Sequence, residues 1–272
     1  MYYLQFDFEI DDDVESDTLL AILSNYPFEG YEEIDGYLKA FIAETSYKEE
    51  YISEVAAYFP SLQYILSVVE NINWNKQWEQ NFQPVTVGNF VAVRAHFHLP
   101  IAHVQHEIII TPKMSFGTGH HATTYMMMQA MQPIDFTNKK VVDFGTGTGV
   151  LAILASKLGA TSILALDYDE WSIENAKENL LQNNTKAIEL LLSDKLLTNA
   201  TFDIILANIN LNVILNNMAS ITASCKKATI ILLSGFLKDD EATIKNALRD
   251  NDISYIETLQ SGEWIAIKAA KN

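Results

Sequence analysis

The sequence predicts an α/β fold in which an open, mostly parallel sheet carries helices on both faces and follows a smaller α+β unit. Three observations carry this expectation. From Lys139 onward, short apolar runs alternate with helical patterns, the order that yields parallel strands joined by crossover helices. One of those runs ends in three glycines at alternate positions, Gly145, Gly147 and Gly149, and opens into a helix. Residues 1–70 differ from the rest in both charge and element order.

The chain begins with period-two alternation, Leu4, Phe6, Phe8 and Ile10 against Tyr3, Gln5, Asp7 and Glu9, which reads as a half-buried strand. A helical pattern at Leu19, Leu20, Ile22 and Leu23 follows, with Asp17 as its expected N-cap. Phe28–Ile34 and Tyr37–Ala43 read as a hairpin across Asp35-Gly36. A helix over 47–58 stops at Pro60, and a strand over 63–69 completes the order β-α-β-β-α-β, a ferredoxin-like arrangement. Trp74, Trp78 and Phe82 recur every four residues, which predicts a linker helix over 71–83. The second domain is then expected over 84–272. Its first part, from Pro84 to Pro112, is rich in Val, Ile and Phe and reads as strands.

Beyond Lys139 the expected order is strand 141–144, helix 149–158, strand 162–166, helix 170–183, strand 187–192 and strand 202–207. A helix over 211–225, a strand over 228–234 and a helix over 240–250 follow. The last two strands, 254–259 and 264–269, are separated only by Gln260–Glu263, too little chain for a crossover helix, so they must be antiparallel.

With 49% hydrophobic and 19% charged residues the chain can bury a sizeable core. It has neither a secretory start nor an 18-residue apolar run, which predicts a soluble cytoplasmic protein with no membrane contact. A single cysteine, Cys225, rules out an internal disulfide and a multi-cysteine zinc site, and reads as a buried structural thiol. All six histidines fall between His96 and His121, and His96 and His98 would share one strand face. No ligand spacing is completed, so no metal is expected. Charge is uneven. Residues 1–72 hold 16 acidic and 2 basic side chains, a balance of −14, whereas the remainder hold 19 and 16, a balance of −3. The first quarter should repel phosphates, which argues against sequence-specific nucleic-acid binding, and should attract a basic protein; a solvated acidic face kept for solubility is the other reading.

The strand Val141-Val142-Asp143-Phe144 runs into Gly145-Thr146-Gly147-Thr148-Gly149 and then a helix. Glycine permits close approach of backbone to a ligand, and the helix N-terminus behind it offers free N–H groups. A dinucleotide fingerprint would place its third glycine at position 150, where Val150 stands, and this argues against NAD. Asp167, ending the next strand, suits ribose hydroxyls. Asp143 either faces a cationic group of the ligand or braces the loop. Ser193 and Asp194 follow the third strand, at the height of an adenine edge, or serve a turn. Asn208 ends the fourth strand, where a neutral carboxamide suits an amine nucleophile or caps the next helix.

Together with Phe116-Gly117-Thr118-Gly119-His120-His121-Ala122-Thr123-Thr124 upstream and Gly262-Glu263-Trp264 near the end, these motifs resemble the ribosomal protein L11 methyltransferase (PrmA) family over nearly the whole chain. The resemblance implies a class I, Rossmann-like methyltransferase domain dependent on S-adenosylmethionine. It also implies a ferredoxin-like domain (1–70) that grips the target, and transfer of methyl groups to lysine side chains and the N-terminal amine of that basic ribosomal protein. Matched by motif, Thr124, Gly145, Asp167 and Asn208 bind the cofactor, while Phe116 and Gly117 belong to a loop over its methionine end. Thr146, Thr148 and Ala122 depart from the commoner cysteine or serine and proline, leaving that assignment intact. No dedicated base is evident, so positioning and desolvation by groups such as Asn208 are expected to carry catalysis. A methyltransferase for another protein, a nucleic acid or a small molecule would share the cofactor residues, and a non-catalytic cofactor-binding module would share the loop.

Overall fold

The computed structural model describes residues 2–10, 13–34, 36–59, 62–70, 82–113, 117–185, 187–196 and 200–272. Most of the expected linker helix, including Trp74 and Trp78, lies outside the described residues, as does Phe116. The chain divides into two compact units, Met1–Asn81 and Phe82–Asn272.

The first unit runs β1 (Tyr2–Glu9), α1 (Asp13–Leu23), β2 (Phe28–Ile34), β3 (Tyr37–Ala43), α2 (Glu49–Tyr58) and β4 (Tyr64–Glu70). Its sheet has the order β2-β3-β1-β4 and every pairing is antiparallel. The alternating pattern is realised directly: Leu4, Phe6 and Phe8 are buried with Leu38, Ala40 and Ile42 under Leu19, Leu23, Ile52 and Val55. Asp17, expected as a cap, falls inside α1, because the helix starts at Asp13.

The second unit opens with a three-stranded sheet, β5 (Val85–Val87), β6 (Val91–Ala95) and β7 (His106–Ile110). His96 and His98 lie past the end of β6 in a turn, where Nδ1 of His98 accepts from the Ala95 N–H at 3.2 Å, so they do not share a strand face. After α3 (Ala122–Met131) comes the seven-stranded sheet: β8 (Lys140–Phe144), β9 (Ser162–Asp167), β10 (Ile188–Leu192), β11 (Phe202–Asn208), β12 (Cys225–Leu237), β13 (Ile253–Ser261) and β14 (Trp264–Lys271). Their order is β10-β9-β8-β11-β12-β14-β13. The pairings from β10 to β12 are parallel, whereas β14 runs antiparallel to both neighbours, to β13 as their short connection required and to β12 as well. Helices α4 (Val150–Lys157), α5 (Glu170–Gln182), α6 (Leu211–Asn216), α7 (Met218–Ala223) and α8 (Glu241–Asp250) pack around it over two apolar clusters.

Two expectations change here. The helix expected over 211–225 is broken at Asn217, whose side-chain Nδ2 donates to the Val213 carbonyl at 2.9 Å. Such side-chain bonding competes with helix continuation. Cys225 then begins β12 instead of ending a helix. Its thiol is half-buried, donates to the Ile221 carbonyl at 3.2 Å, and is pushed up to about 11 by burial.

Helix α5 is bound to the chain end of β7 by side-chain amides. Asn179 Oδ1 accepts from the Thr111 N–H at 2.7 Å and Asn175 Nδ2 donates to the Thr111 carbonyl at 3.0 Å. Asn183 Oδ1 accepts from the Ile109 N–H at 3.0 Å and its Nδ2 donates to the Ile109 carbonyl at 2.6 Å.

Candidate functional site

The sheet order reverses between β8 and β11, and a parallel α/β sheet opens a crevice at the carboxyl ends of its strands at such a point. A cleft of about 880 Å³ lies there. Gly145, Gly147, Asp167, Ser193 and Asp194 line it from the β8–β9–β10 side, and Asn208 from β11.

The glycine loop needs glycine for backbone reasons. Gly145, Gly147 and Gly149 have φ of 76°, 54° and 81°, a region that costs other residues about 1–2 kcal/mol. A Cβ on Gly145 would also overlap Cγ2 of Ile209 from the β11 side. Within the loop itself, most backbone N–H groups are already engaged. Those of Gly145 and Thr146 donate to the Leu166 carbonyl at 2.8 and 2.9 Å, and that of Gly149 to the Thr146 carbonyl at 2.9 Å. The Gly147 N–H donates to Asp167 Oδ2 at 2.9 Å. The loop therefore presents close-approach surface more than donors.

Asp143 explains part of this. It is fully buried, and its Oδ2 accepts from the Thr146 hydroxyl at 2.7 Å and from the Ala152 N–H, in the first turn of α4, at 3.2 Å. Of the two roles open in the sequence, the side chain takes the bracing one. Burial pushes its carboxyl up to about 7 against the lowering effect of those two bonds, with the charge of Asp167 adding to the rise. An acidic side chain of this chain already holds the N-terminus of α4, where a dinucleotide's pyrophosphate would need to sit. Geometry and the Val150 spacing thus argue in the same direction.

Asp167 is buried but lines the cleft, and its Oδ1 accepts from the Asp169 N–H at 3.1 Å. A carboxylate has about four acceptor positions, so capacity remains for a diol. Asn208 Nδ2 donates to the hydroxyl of Thr124 at 3.2 Å, while its Oδ1 is buried with no partner. Thr124, fully buried in α3, thus meets the site through Asn208. Gly117 is likewise set behind the loop, its carbonyl accepting from the Thr148 hydroxyl at 2.7 Å. Gly149 packs instead against Ala176 and Leu180 of α5. Ser193 donates to the Lys195 carbonyl at 2.9 Å, forming a turn that also lines the cleft.

Several lining residues escaped the sequence reading. Gly235, with φ of 98°, sits in a bulge of β12, and a Cβ there would overlap the Ile209 carbonyl. Its signal was available, since a glycine inside an apolar strand marks a bulge or close approach. Trp264 at the start of β14 meets His121 edge-on, with ring centroids 4.6 Å apart. His121 caps α3 through Nδ1, which accepts from the Thr123 N–H at 3.3 Å. Asn210, Asn216 and Ser220 complete that side. Among the described residues no cluster suits a metal ion, and no helix is long and apolar enough to cross a membrane.

The residues fit a sulfonium nucleoside cofactor: close-approach glycines whose own N–H groups are engaged within the protein, a carboxylate with spare acceptor positions, and a cleft-lining carboxamide whose oxygen has no partner. Residues 12–272 match the family model described as ribosomal protein L11 methyltransferase (PrmA). The ribosomal protein L11 methyltransferase of Phocaeicola vulgatus is 34% identical over 260 residues, covering 93% of this chain and 92% of that protein. That of Chlorobaculum parvum is 37% identical over 276 residues, covering 97% and 95%. Among solved structures, the ribosomal protein L11 methylase of Lactobacillus delbrueckii superposes with a TM-score of 0.65 at 28% identity, covering 70% of this chain and all of that one. A methyltransferase from Pyrococcus furiosus, with a TM-score of 0.51 and 18% identity over 60% of this chain and 88% of that one, shares the fold. Sheet order, cleft and sequence likeness over nearly the whole length agree, and the chain belongs to the ribosomal protein L11 methyltransferase (PrmA) family.

Proposed function

We propose that this chain transfers methyl groups from S-adenosylmethionine to lysine side chains and the N-terminal amine of ribosomal protein L11. The single observation that carries the reading is the cleft that brings Gly145, Asp167 and Asn208 together at the sheet's reversal point, in a chain whose relatives bear that name. In this reading Asp167 holds the ribose, Ser193 and Asp194 meet the adenine edge, Gly145 and Gly147 allow close approach, and the carboxamide of Asn208, steadied by Thr124, faces the reacting centre. Phe116 and Gly117 belong to the loop over the cofactor's methionine end. Asp143 and Gly149 support from behind, as brace and helix joint. When bound, the cofactor supplies a methyl group on a sulfonium.

The protein's work is to hold an amine in line and to desolvate it. Free lysine has a pKa of about 10.4 and its ammonium form has no lone pair to donate. Burial disfavours that charged form. The N-terminal unit, residues 1–70, is proposed as the L11-gripping domain, joined by a linker over 71–83, and its negative balance complements a basic target. The cytoplasm, where ribosomes are, is the proposed compartment.

Incubation with radiolabelled S-adenosylmethionine and purified ribosomal proteins, followed by mass spectrometry, tests the reading. Label in L11 at amino groups is expected; label confined to another protein, to RNA or to nothing would overturn it.

A further inference from the structure

Trp171 and Tyr168 stand 83% and 79% exposed, although large aromatic side chains gain most from burial. Neither belongs to a loose segment. Asp169 caps α5, its carboxylate accepting from the Trp171 N–H at 3.2 Å, the Ser172 N–H at 3.1 Å and the Ser172 hydroxyl at 2.9 Å, so the backbone that carries both rings is held. Leu192, 53% exposed, ends β10 in register with Asp167. Tyr168 lines the cleft and Trp171 does not. Apolar surface therefore continues outward from the cleft rim at the carboxyl ends of β9 and β10.

The charge around these rings is mostly of one sign. Residues 167–177 and 189–195 carry six acidic and two basic side chains. Glu170, Glu174, Glu189 and Asp194 are exposed. Among the described residues, only Glu174 of these four is ion-paired, with Lys177 at 3.7 Å. An aromatic face attracts a Lys or Arg head through its ring quadrupole, and neighbouring carboxylates add to that attraction. A phosphate backbone would be repelled here. A second copy of this chain on the same face would bring like charges together.

We propose that Trp171, with Tyr168, Leu192 and the acidic side chains around them, is a docking surface for a lysine- or arginine-rich segment of the target protein. The inference rests on the function proposed above and names where on the second unit L11 is held outside the cleft. Trp171 takes a cationic head on its ring face, Leu192 covers the methylene stem behind that head, and Glu170 and Asp194 supply the surrounding negative field. A target whose amine enters the cleft carries its flanking chain across this rim, so the contact adds affinity for the protein without touching the reacting atoms.

Trp171 and Glu170 are exposed, so Trp171→Ala and Glu170→Lys should fold. Trp171→Ala should raise KM for L11 by about fivefold with kcat and S-adenosylmethionine affinity unchanged within about twofold, and Trp171→Phe should recover part of the loss. A readout without turnover is L11 affinity for the S-adenosylhomocysteine complex by calorimetry, which should weaken by the same factor. Glu170→Lys should weaken it by about threefold at low salt and by much less at high salt, where exposed charges are screened. Three results would each overturn the surface while leaving the L11 function standing. They are L11 affinity that Trp171→Ala leaves unchanged or a loss confined to cofactor affinity, a Glu170→Lys effect that is absent or undiminished by salt, and a wild-type dimer in sedimentation that Trp171→Ala dissociates. A wild-type chain that leaves L11 unlabelled overturns that function and the surface with it.

Discussion

Replacing Asp143 by asparagine should alter how stability depends on pH. The buried carboxyl is raised from 3.8 to about 7, chiefly by desolvation. Because the folded carboxyl holds its proton more tightly than the unfolded one, the native state binds more protons between those values. Stability is therefore present at low pH and lost as pH rises toward 7. The full interval, about 3 units, corresponds to about 4 kcal/mol, of which about 3 kcal/mol falls between pH 5 and pH 8. Asparagine remains neutral throughout, and its carbonyl can still accept from the Thr146 hydroxyl and the Ala152 N–H. Its NH₂ takes the place of the unpartnered Oδ1, a cost of about 1–3 kcal/mol that does not vary with pH. The informative quantity is thus the change in the difference between the two proteins. Urea unfolding at pH 5, 6, 7 and 8, with amide exchange of Lys140–Phe144 as reporter of the second unit, should show the variant gaining about 3 kcal/mol on the wild type across that range. A difference that stays constant with pH would refute the buried, proton-holding role assigned to Asp143.

Gly145→Ala combines a φ of 76° with overlap onto Ile209, so it should lower stability by about 1–2 kcal/mol and weaken S-adenosylmethionine binding more than about tenfold by calorimetry. Undiminished affinity would remove the close-approach argument. Asn208→Ala should depress methyl transfer to L11 in a filter-binding assay, and retention of both activity and cofactor affinity would exclude a role for its carboxamide. Arg94 is almost fully buried and donates to Glu107 at 3.0 Å, a hydrogen bond that holds Glu107 below the usual carboxylate range. Arg94→Met should cost about 1.5–3 kcal/mol near neutral pH by denaturant titration, and less in acid where Glu107 is protonated. Deleting residues 1–70 should leave cofactor binding intact and abolish methylation of L11, and retained activity on L11 would refute the gripping role.

The parts of this fold that were legible in the sequence are those set by local periodicity. Leu4, Phe6 and Phe8 alternate because one face of β1 is buried, and β14 had to be antiparallel because Gln260–Glu263 cannot form a crossover. What stayed hidden depends on contacts between distant segments. Nothing near Asn217 marks it as the end of a helix until its side chain finds Val213. Ile209 looks like any apolar residue, yet Gly145 and Gly235 both close on it. That Leu166 and Asp167 on the adjacent strand engage the N–H groups of Gly145, Thr146 and Gly147 was equally invisible in the sequence. Thr124 beside Asn208, 84 positions apart, came from the family resemblance and from no spacing rule.

The amides of α5 act as a strand made of side chains. Asn175, Asn179 and Asn183 stand four residues apart, about 6 Å along a helix axis, while Ile109 and Thr111 stand two apart, about 6.6 Å along a strand. The two repeats nearly match, so the helix serves as a ruler laid against the edge of the small sheet, supplying both the donors and the acceptors a neighbouring strand would give. Asn179 also donates to the Thr148 carbonyl at 2.9 Å. A slip of one residue between α5 and β7 would unmake the whole set, and the height of the glycine loop is thereby indexed to a sheet it does not belong to.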